Sequence, residues 1–566
     1  AGDLALSTID AHGLLTSLDV SLDQEHLDLL VARTEGWPAG LHLAGLALAR
    51  ADDAGLFVED FHGTDRDVAD YLLSEVLGSV TEEERDFMIE TSTLSRLNGD
   101  LCDAVTGRPG SAETLVRLER SNAFVIPLDR DDRWYRYHHL FAELLAAELH
   151  RRRPDDERGL HRRAFEWLRG DAQFGDAIPH GLAAGETDAA AELLCRHWFG
   201  LMDSGRLETV RSLLAQFRPE YIDGHQPLAI AAAFAHGMAG EPHAARHYLN
   251  AAEQATYDRS PPDGSASMAS ALALTRATLA LDGVDASLAD GRVAYDLEPV
   301  GSRWRPMAAL DVGLALVMRG DVAESTPFLE EAERSGDEAV RVYALAELSL
   351  GRLARGDVEG AAMAAADAIE IVQDAGIDEL INAAMAHAAA SWAAIEGGDE
   401  RAARISLRAA SPSMGTVDQA LPMDRIHARL LLARAAMSLG EIDLARQNLD
   451  DARRVADTVA DVGSMREELA ELTERLDALG PGAAEDRAPE FTERELEVIA
   501  LLPSPLTTRE IGEELFLSRN TIKSYLRRVY RKLNASSRQE AVLLADELGL
   551  LRDRRNRTEI GATSPG

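Results

Sequence analysis

Near the C-terminus, Ile522, Leu526, Val529 and Leu533 recur at three- and four-residue spacing, while Arg519, Lys523, Arg527 and Arg531 recur every four residues on another face. That spacing predicts one amphipathic helix, with an apolar side for a small core and a basic side for phosphates and base edges. Thr492-Glu493-Arg494-Glu495 and Thr507-Thr508-Arg509-Glu510 both read as capping boxes, each marking a helix start. Leu496, Ile499 and Leu502 give the first of these helices its apolar side, and Pro503 and Pro505 stop it. Ile511 and Leu515, with Gly512 small enough for close approach, mark a short second helix. Phe516-Leu517 makes the turn, Ser518 caps the basic helix, and Ser537-Arg538-Gln539-Glu540 caps a fourth helix that ends near Gly549. The predicted arrangement is a helix-turn-helix with one helix on each side.

A longer period runs through the middle of the chain. Gly205, Gly240, Gly283, Gly320, Gly356, Gly398 and Gly440 are spaced 35, 43, 37, 36, 42 and 42 residues apart. Five of them open segments that lead into a new helix: GEPHAAR, GDVAEST, GDVEGAA, GDERAAR and GEIDLAR. Such periods predict stacked helical hairpins, with glycine at the tight turn and the alanines after it letting paired helices approach closely. The full tetratricopeptide pattern is met in few repeats, so the expectation is a tetratricopeptide-like superhelix. Its role is either that of a spacer or that of a concave surface for a small-molecule or protein effector. Binding is the favoured reading, because extended solenoid surfaces are commonly used that way.

Charge changes the picture sharply. The chain stands at -39, yet Arg519 to Arg538 carries seven basic residues, no acid and both of the chain's lysines, so everything outside it sums to -46. A polyanion has one place to dock. With 566 residues and 46% hydrophobic content the chain can build several substantial cores. Two cysteines, Cys102 and Cys195, indicate no disulfide framework and favour a reducing compartment. No run approaches the roughly 18 apolar residues of a membrane span, and the N-terminus lacks a signal-peptide pattern. A cytoplasmic location with no membrane partner is expected. The sequence starts at Ala1 inside a helical region, which suggests a piece of a longer polypeptide.

FTERELEVIALL and TTREIGEELFLSRNTIKSYLRRVYRKLNASSRQEAV together resemble the LuxR-type helix-turn-helix over about 60 residues. The resemblance implies that Lys523, Ser524 and Arg527 face base edges of double-stranded DNA. It implies phosphate contacts for Arg519, Thr521, Arg528, Arg531, Lys532 and Arg538. Two departures affect local backbone contacts. Pro503-Ser504-Pro505-Leu506 replaces the usual glycine-containing loop, and Asn520 stands where Glu is common. On the fourth helix, Ala541, Leu544 and Leu548 share a face that is expected to pair two such modules.

At the other end, RTEGWPAGLHLAGLAL, DYLLSEVLGSVTEEERDFMIETSTLSRLNGDLCDAVTG and RWYRYHHLFAELLAAEL resemble the end of the nucleotide-binding module and the winged helix of MalT-like regulators, which are large LuxR-family activators of the signal-transduction ATPase class. In that class a Gly-x-Pro step touches the nucleotide base and a winged-helix His approaches the terminal phosphate of ADP. The matching positions are Pro38 and His138. A phosphate-binding loop needs a lysine, and none precedes Lys523. This chain is therefore expected to be no enzyme and to hold no cofactor of its own, with ATP or ADP binding in the full-length protein.

The expected fold is mostly α. Residues 1–55 read as the end of a nucleotide-binding module, 56–155 as a winged helix, 156–480 as helical repeats, 481–488 as a linker, 489–552 as the helix-turn-helix and 553–566 as a disordered tail. The expected function is that of a DNA-binding transcriptional regulator, an activator controlled by nucleotide and effector. Self-association and recruitment of RNA polymerase follow from the resemblance. The alternative is a helical-repeat scaffold or nucleotide-switch protein acting mainly through protein contacts.

Overall fold

In the computed structural model, residues 5–478 are described except 50–53, 60, 65, 122–123, 130–132, 379 and 420. Of the C-terminal segment it describes 491, 493–504, 506, 511, 514–515, 522, 525–526, 528–530, 538, 541–542 and 545. Helices dominate throughout, and among the described residues the sheet structure is one two-stranded hairpin.

Local capping sets the helix starts at the N-terminal end. Ser7 and Asp10 form a reciprocal capping box at the head of Thr8–Ser17. Thr81 and Glu84 form another at Glu82–Thr91, and Asn98 accepts from the Leu101 N–H to start Gly99–Thr106. The helix Ser111–Arg120 follows, then β1 (Val125–Pro127) and β2 (Tyr135–Tyr137), antiparallel with Val125 opposite Tyr137. Leu97 bridges to Tyr135 from the other side. Three helices and a two-stranded wing thus enclose Phe87, Leu101, Leu115, Leu118 and Tyr137, all buried, and Phe141 on the next helix, His139–Arg152, joins them.

From residue 174 to residue 478 the described chain is a succession of helical hairpins, and the seven punctuating glycines behave as the sequence predicts. All have positive φ, from 72° to 99°, a region that costs glycine nothing and other residues appreciably. At six of them the next residue's N–H reaches back to a carbonyl of the preceding helix, as Glu441 does to Ala436 and Asp357 to Arg352. Five positions after Gly185, Gly240, Gly320, Gly356, Gly398 and Gly440 stand Ala190, Ala245, Ser325, Ala361, Ala403 and Ala445, each essentially without exposed surface. A small side chain there lets the paired helices close up. Across two of these contacts Ser349 and Ser391 donate to the carbonyls of Ala361 and Ala403, and in the Gly283 hairpin Ser287 donates to the carbonyl of Ala277.

Gly283 is the exception, and it reveals how the array ends. The N–H of Val284 donates not to its own preceding helix but to the Asp461 carbonyl, and the Asp285 N–H donates to the Asp461 carboxylate at 3.0 Å. The Ser464 N–H and hydroxyl both donate to the Met318 carbonyl at 2.8 Å. A Cβ on Gly463 would lie 2.4 Å from that same carbonyl oxygen, and one on Gly283 would lie 2.6 Å from the Asp461 side chain. The loop after the helix Ile442–Ala456 therefore sits on the turns at 283–285 and 318, closing the superhelix onto its own earlier hairpins.

Candidate nucleic-acid interface

Of the apolar stripe read from the sequence, Ile522 and Val529 are fully buried and Leu526 is half-buried, while Leu533 lies outside the described residues. Val498, Ile511 and Ile522 form one small cluster, and Ile499, Leu502, Val529, Ala541 and Ala545 form another, with Leu526 packed against both. The helix Glu493–Leu501 supplies Val498 and Ile499 from successive positions and so joins the two halves. Arg528 is exposed on the outer side, its guanidinium 4.6 Å from the Tyr525 ring centroid. Lys523, Ser524, Arg527, Arg519, Thr521, Arg531, Lys532, Leu544 and Leu548 lie outside the described residues.

Two of the expected site residues have partners inside the module. Arg538, expected at a phosphate, donates instead to the carbonyls of Leu501, Leu502, Ser504 and Leu506. The end of the Glu493–Leu501 helix leaves carbonyls without intrahelical partners, and the proline-containing loop offers few N–H groups to meet them. One planar guanidinium serves them together. Ala541, expected on a pairing face, is fully buried among Ile499, Leu502, Val529 and Ala545, so it belongs to the module's own core.

The N-terminal candidates sit at the joint between the first helices and the winged helix. Gln24–Thr34 ends at Glu35, which takes the left-handed conformation with φ 50°, and Gly36 follows with φ 69°. Trp37 then precedes Pro38, the first residue of the helix Pro38–Leu48, where a missing N–H costs nothing. The Trp37 ring packs edge-on against Phe124 at 5.0 Å and against His138 at 5.8 Å. His138 is buried, its Nε2 lies 3.0 Å from the Thr34 carbonyl oxygen, and its Nδ1 is a buried atom without a hydrogen-bond partner. Burial depresses its pKa, against the opposing pull of Glu35. Arg136 holds the Glu35 carboxylate through two hydrogen bonds, and the His139 N–H adds a third. The structure thus gathers His138 and Trp37, and it gives Pro38 the role of starting the adjoining helix. Sequence reasoning missed Glu35, Trp37 and Arg136. The one available signal was Gly40, where a Cβ would lie 2.3 Å from the Trp37 ring.

Among the described residues no cluster of His, Cys, Asp or Glu is placed to hold a metal, and no helix is long and apolar enough to cross a membrane.

Residues 73–157 match the MalT winged helix domain, and residues 489–545 match the bacterial regulatory proteins of the luxR family. The chain is thus similar to MalT in its winged helix and to luxR-family regulators in its C-terminal segment. It is 25% identical over 445 residues to the HTH-type transcriptional regulator MalT of Vibrio campbellii, covering 75% of this chain and 48% of the relative. It is 31% identical over 188 residues to the Vibrio cholerae regulator of the same name, covering 33% and 21%. The serine/threonine-protein kinase PknK of Mycobacterium tuberculosis is 26% identical over 336 residues, covering 58% and 30%. The MalT-like chain spans about half or less of the length of these relatives. A signal transduction ATPase with a tetratricopeptide repeat sensor from Pyrococcus horikoshii aligns over 84% of this chain and 75% of its own at 14% identity, with a TM-score of 0.39, a likeness too slight to bear on the fold described above.

Proposed function

We propose that this chain is the sensor and output part of a sequence-specific DNA-binding transcriptional regulator, an activator controlled by nucleotide and by an effector on the helical repeats. The observation that carries the reading is the match of residues 489–545 to luxR-family regulatory proteins. In this reading Lys523, Ser524 and Arg527 read base edges, while Arg519, Thr521, Arg528, Arg531 and Lys532 hold the sugar-phosphate backbone. Arg538 acts behind them by fixing the loop before the second helix. Leu544 and Leu548 pair two modules, and self-association of the whole protein on adjacent sites recruits RNA polymerase.

In the whole protein, ADP or ATP meets Pro38 at the base and His138 at the terminal phosphate. The orphaned, buried Nδ1 of His138 supports this role, because a protonated Nδ1 would donate to a phosphate oxygen while Nε2 stays fixed on Thr34. A bound nucleotide would supply charge that tips the imidazole toward its protonated form. The residues of this chain supply orientation and a dry wall around it.

The test is a gel-shift selection from a randomised duplex library. Lys523→Ala or Arg527→Ala is expected to cost about 1–3 kcal/mol against the selected site and to relax preference at one base position. Lys532→Ala should weaken all duplexes alike and lower the salt slope by about one. An unchanged base preference in both Lys523→Ala and Arg527→Ala would sink the base-reading assignment, and absence of any retained sequence at physiological salt would favour a scaffold.

A further inference from the structure

The superhelix forms a half-open pocket of about 280 Å³, close to the lower end of small-ligand pockets, roughly 300–1,000 Å³. Its walls come from successive hairpins and are largely apolar and adaptable, with Phe234, Met238, Met307, Met318 and Met423 among them. Its hydroxyl and amide groups are Thr278, Ser287, Tyr343 and Asn382, and its charged groups are of one sign. Asp311, Asp337 and Asp424 line it, and among the described residues no lysine, arginine or histidine does.

Two of these carboxyls are set into the wall with a single side-chain partner each. Asp311, on the helix Arg305–Arg319, is more than nine-tenths buried and accepts from the Thr278 hydroxyl at 2.8 Å. Asp424, in the first turn of Pro422–Ser438, accepts from the Tyr343 hydroxyl at 2.9 Å. His427, whose charge acts on Asp424, is engaged with Glu347 at 2.8 Å in a buried pair of its own. Asp337 is committed to capping the next helix through the Val340 N–H. An apolar pocket carrying one buried and one half-buried acid, with no cation among its described lining residues, is rich in acceptors, and burying such groups without a counter-charge is costly.

We propose that this chamber binds a small amphipathic organic cation, an ammonium group on an apolar body, with the ammonium between Asp311 and Asp424 and the body against the methionines. This deepens the effector reading given above and rests on it for its regulatory meaning, but not for the binding itself. Burial pushes the Asp311 carboxyl up to about 8, and it pushes that of Asp424 up to about 6 against the opposing pull of His427. An arriving ammonium reverses that cost, and Asp311 gives up its proton to solvent as it binds near neutral pH. Three donors on one ammonium can serve both carboxylates at once. The ligand would touch Thr278, Asp311, Tyr343 and Asp424 from four hairpins. It would also rest on Met318, whose carbonyl holds Ser464 at the closure.

The test uses 4-phenylbutylammonium, 4-phenylbutan-1-ol and 4-phenylbutyrate as matched probes on the 566-residue chain, followed by calorimetry in two buffers of different ionisation enthalpy. The ammonium is expected to bind at least tenfold tighter than the alcohol, with the carboxylate weakest, and to release a proton at pH 7. Asp311→Asn and Asp424→Asn should each weaken the ammonium roughly tenfold and leave the alcohol unchanged. Thermal unfolding of the Asp311→Asn variant should be no lower than that of the parent, since a buried acid is removed. Equal binding of all three probes, no binding at all, or full affinity in both variants would overturn the proposal. A gel-shift with and without the ammonium separates the two readings. Binding without any change in DNA retention supports the chamber and counts against its effector role, whereas intact DNA retention with no ammonium binding overturns the chamber alone.

Discussion

Glu35 and Arg136 hold each other by two parallel hydrogen bonds, Nη1 to Oε1 at 2.7 Å and Nη2 to Oε2 at 2.6 Å, across 101 residues of chain. The pair fastens the turn before Trp37 to the strand before His138, and so sets the distance between Pro38 and the winged helix. Partial burial strengthens such a fork relative to one on the open surface. Glu35→Gln should destabilise the N-terminal half by about 1.5–3 kcal/mol, and a double-mutant cycle with Arg136→Met should show strong coupling. Additive losses in thermal unfolding would mean that the fork contributes little.

The same joint gives a pH dependence whose sign can be worked out. Arg136 and the neighbouring N–H of His139 outweigh burial and hold the Glu35 carboxyl below the usual carboxylate range. The unfolded chain therefore takes up that proton first as pH falls. The Glu35 contribution is complete above its unfolded value near 4.5 and fades as pH drops through the folded value. Urea midpoints measured from pH 6 to 3 should fall more steeply in the parent than in Glu35→Gln.

A second pH effect lies at higher pH. His161 and His180 meet Nδ1 to Nδ1 at 2.8 Å, and burial, with His161 beside it, pushes His180 down to about 4. A depressed histidine stabilises fully above its unfolded value near 6.5 and loses that stabilisation as pH falls toward 4, an effect of up to about 3 kcal/mol. His180→Gln should flatten the fall in stability between pH 7 and pH 5. A slope identical to the parent's would show that the pair is not titrating there.

The hairpin contacts predict where added volume is least tolerated. Ala361→Leu or Ala403→Leu adds bulk where the facing helix supplies Ser349 or Ser391 to the backbone carbonyl of the same alanine. Each should cost about 1–3 kcal/mol through overpacking and the lost hydrogen bond. The exposed Met363→Leu, on the same helix as Ala361, is the control and should change stability by less than about 0.5 kcal/mol.

Arg538→Gln separates a structural arginine from a phosphate-binding one. It should lower amide protection at Ile499 and Val529, because four loop carbonyls lose their common donor. It should weaken DNA binding without changing the salt slope of what remains. A slope reduced by about one, with protection intact, would return Arg538 to the phosphates.

Much of this was legible because it is local. A glycine turn and the alanines just after it depend on a few neighbours, so Gly356 and Ala361 could be read from short windows. The apolar stripe of Ile522, Leu526 and Val529 was legible for the same reason, its spacing being the helix repeat itself. What escaped depends on partners far along the chain or without side-chain identity. Arg538 serves backbone carbonyls, which no sequence pattern names. Glu35 and Arg136, or Asp311 and Thr278, pair across distances over which charge and polarity give no register. Even the departure at Gly283-Val284, where the usual acidic residue is missing after the glycine, carries meaning only once Asp461 is seen beside it.

The contact of Asp461 with Val284 and Asp285 also fixes a number. An open solenoid accepts the gain or loss of a unit by duplication or deletion, because every unit meets only its neighbours. Here the turn at 461 reaches the turn at 283 only with the present count of hairpins between them. One more or one fewer would carry Asp461 a whole step away and leave two N–H groups without their acceptors. Change in this part of the molecule is thereby confined to substitution within units of fixed tally.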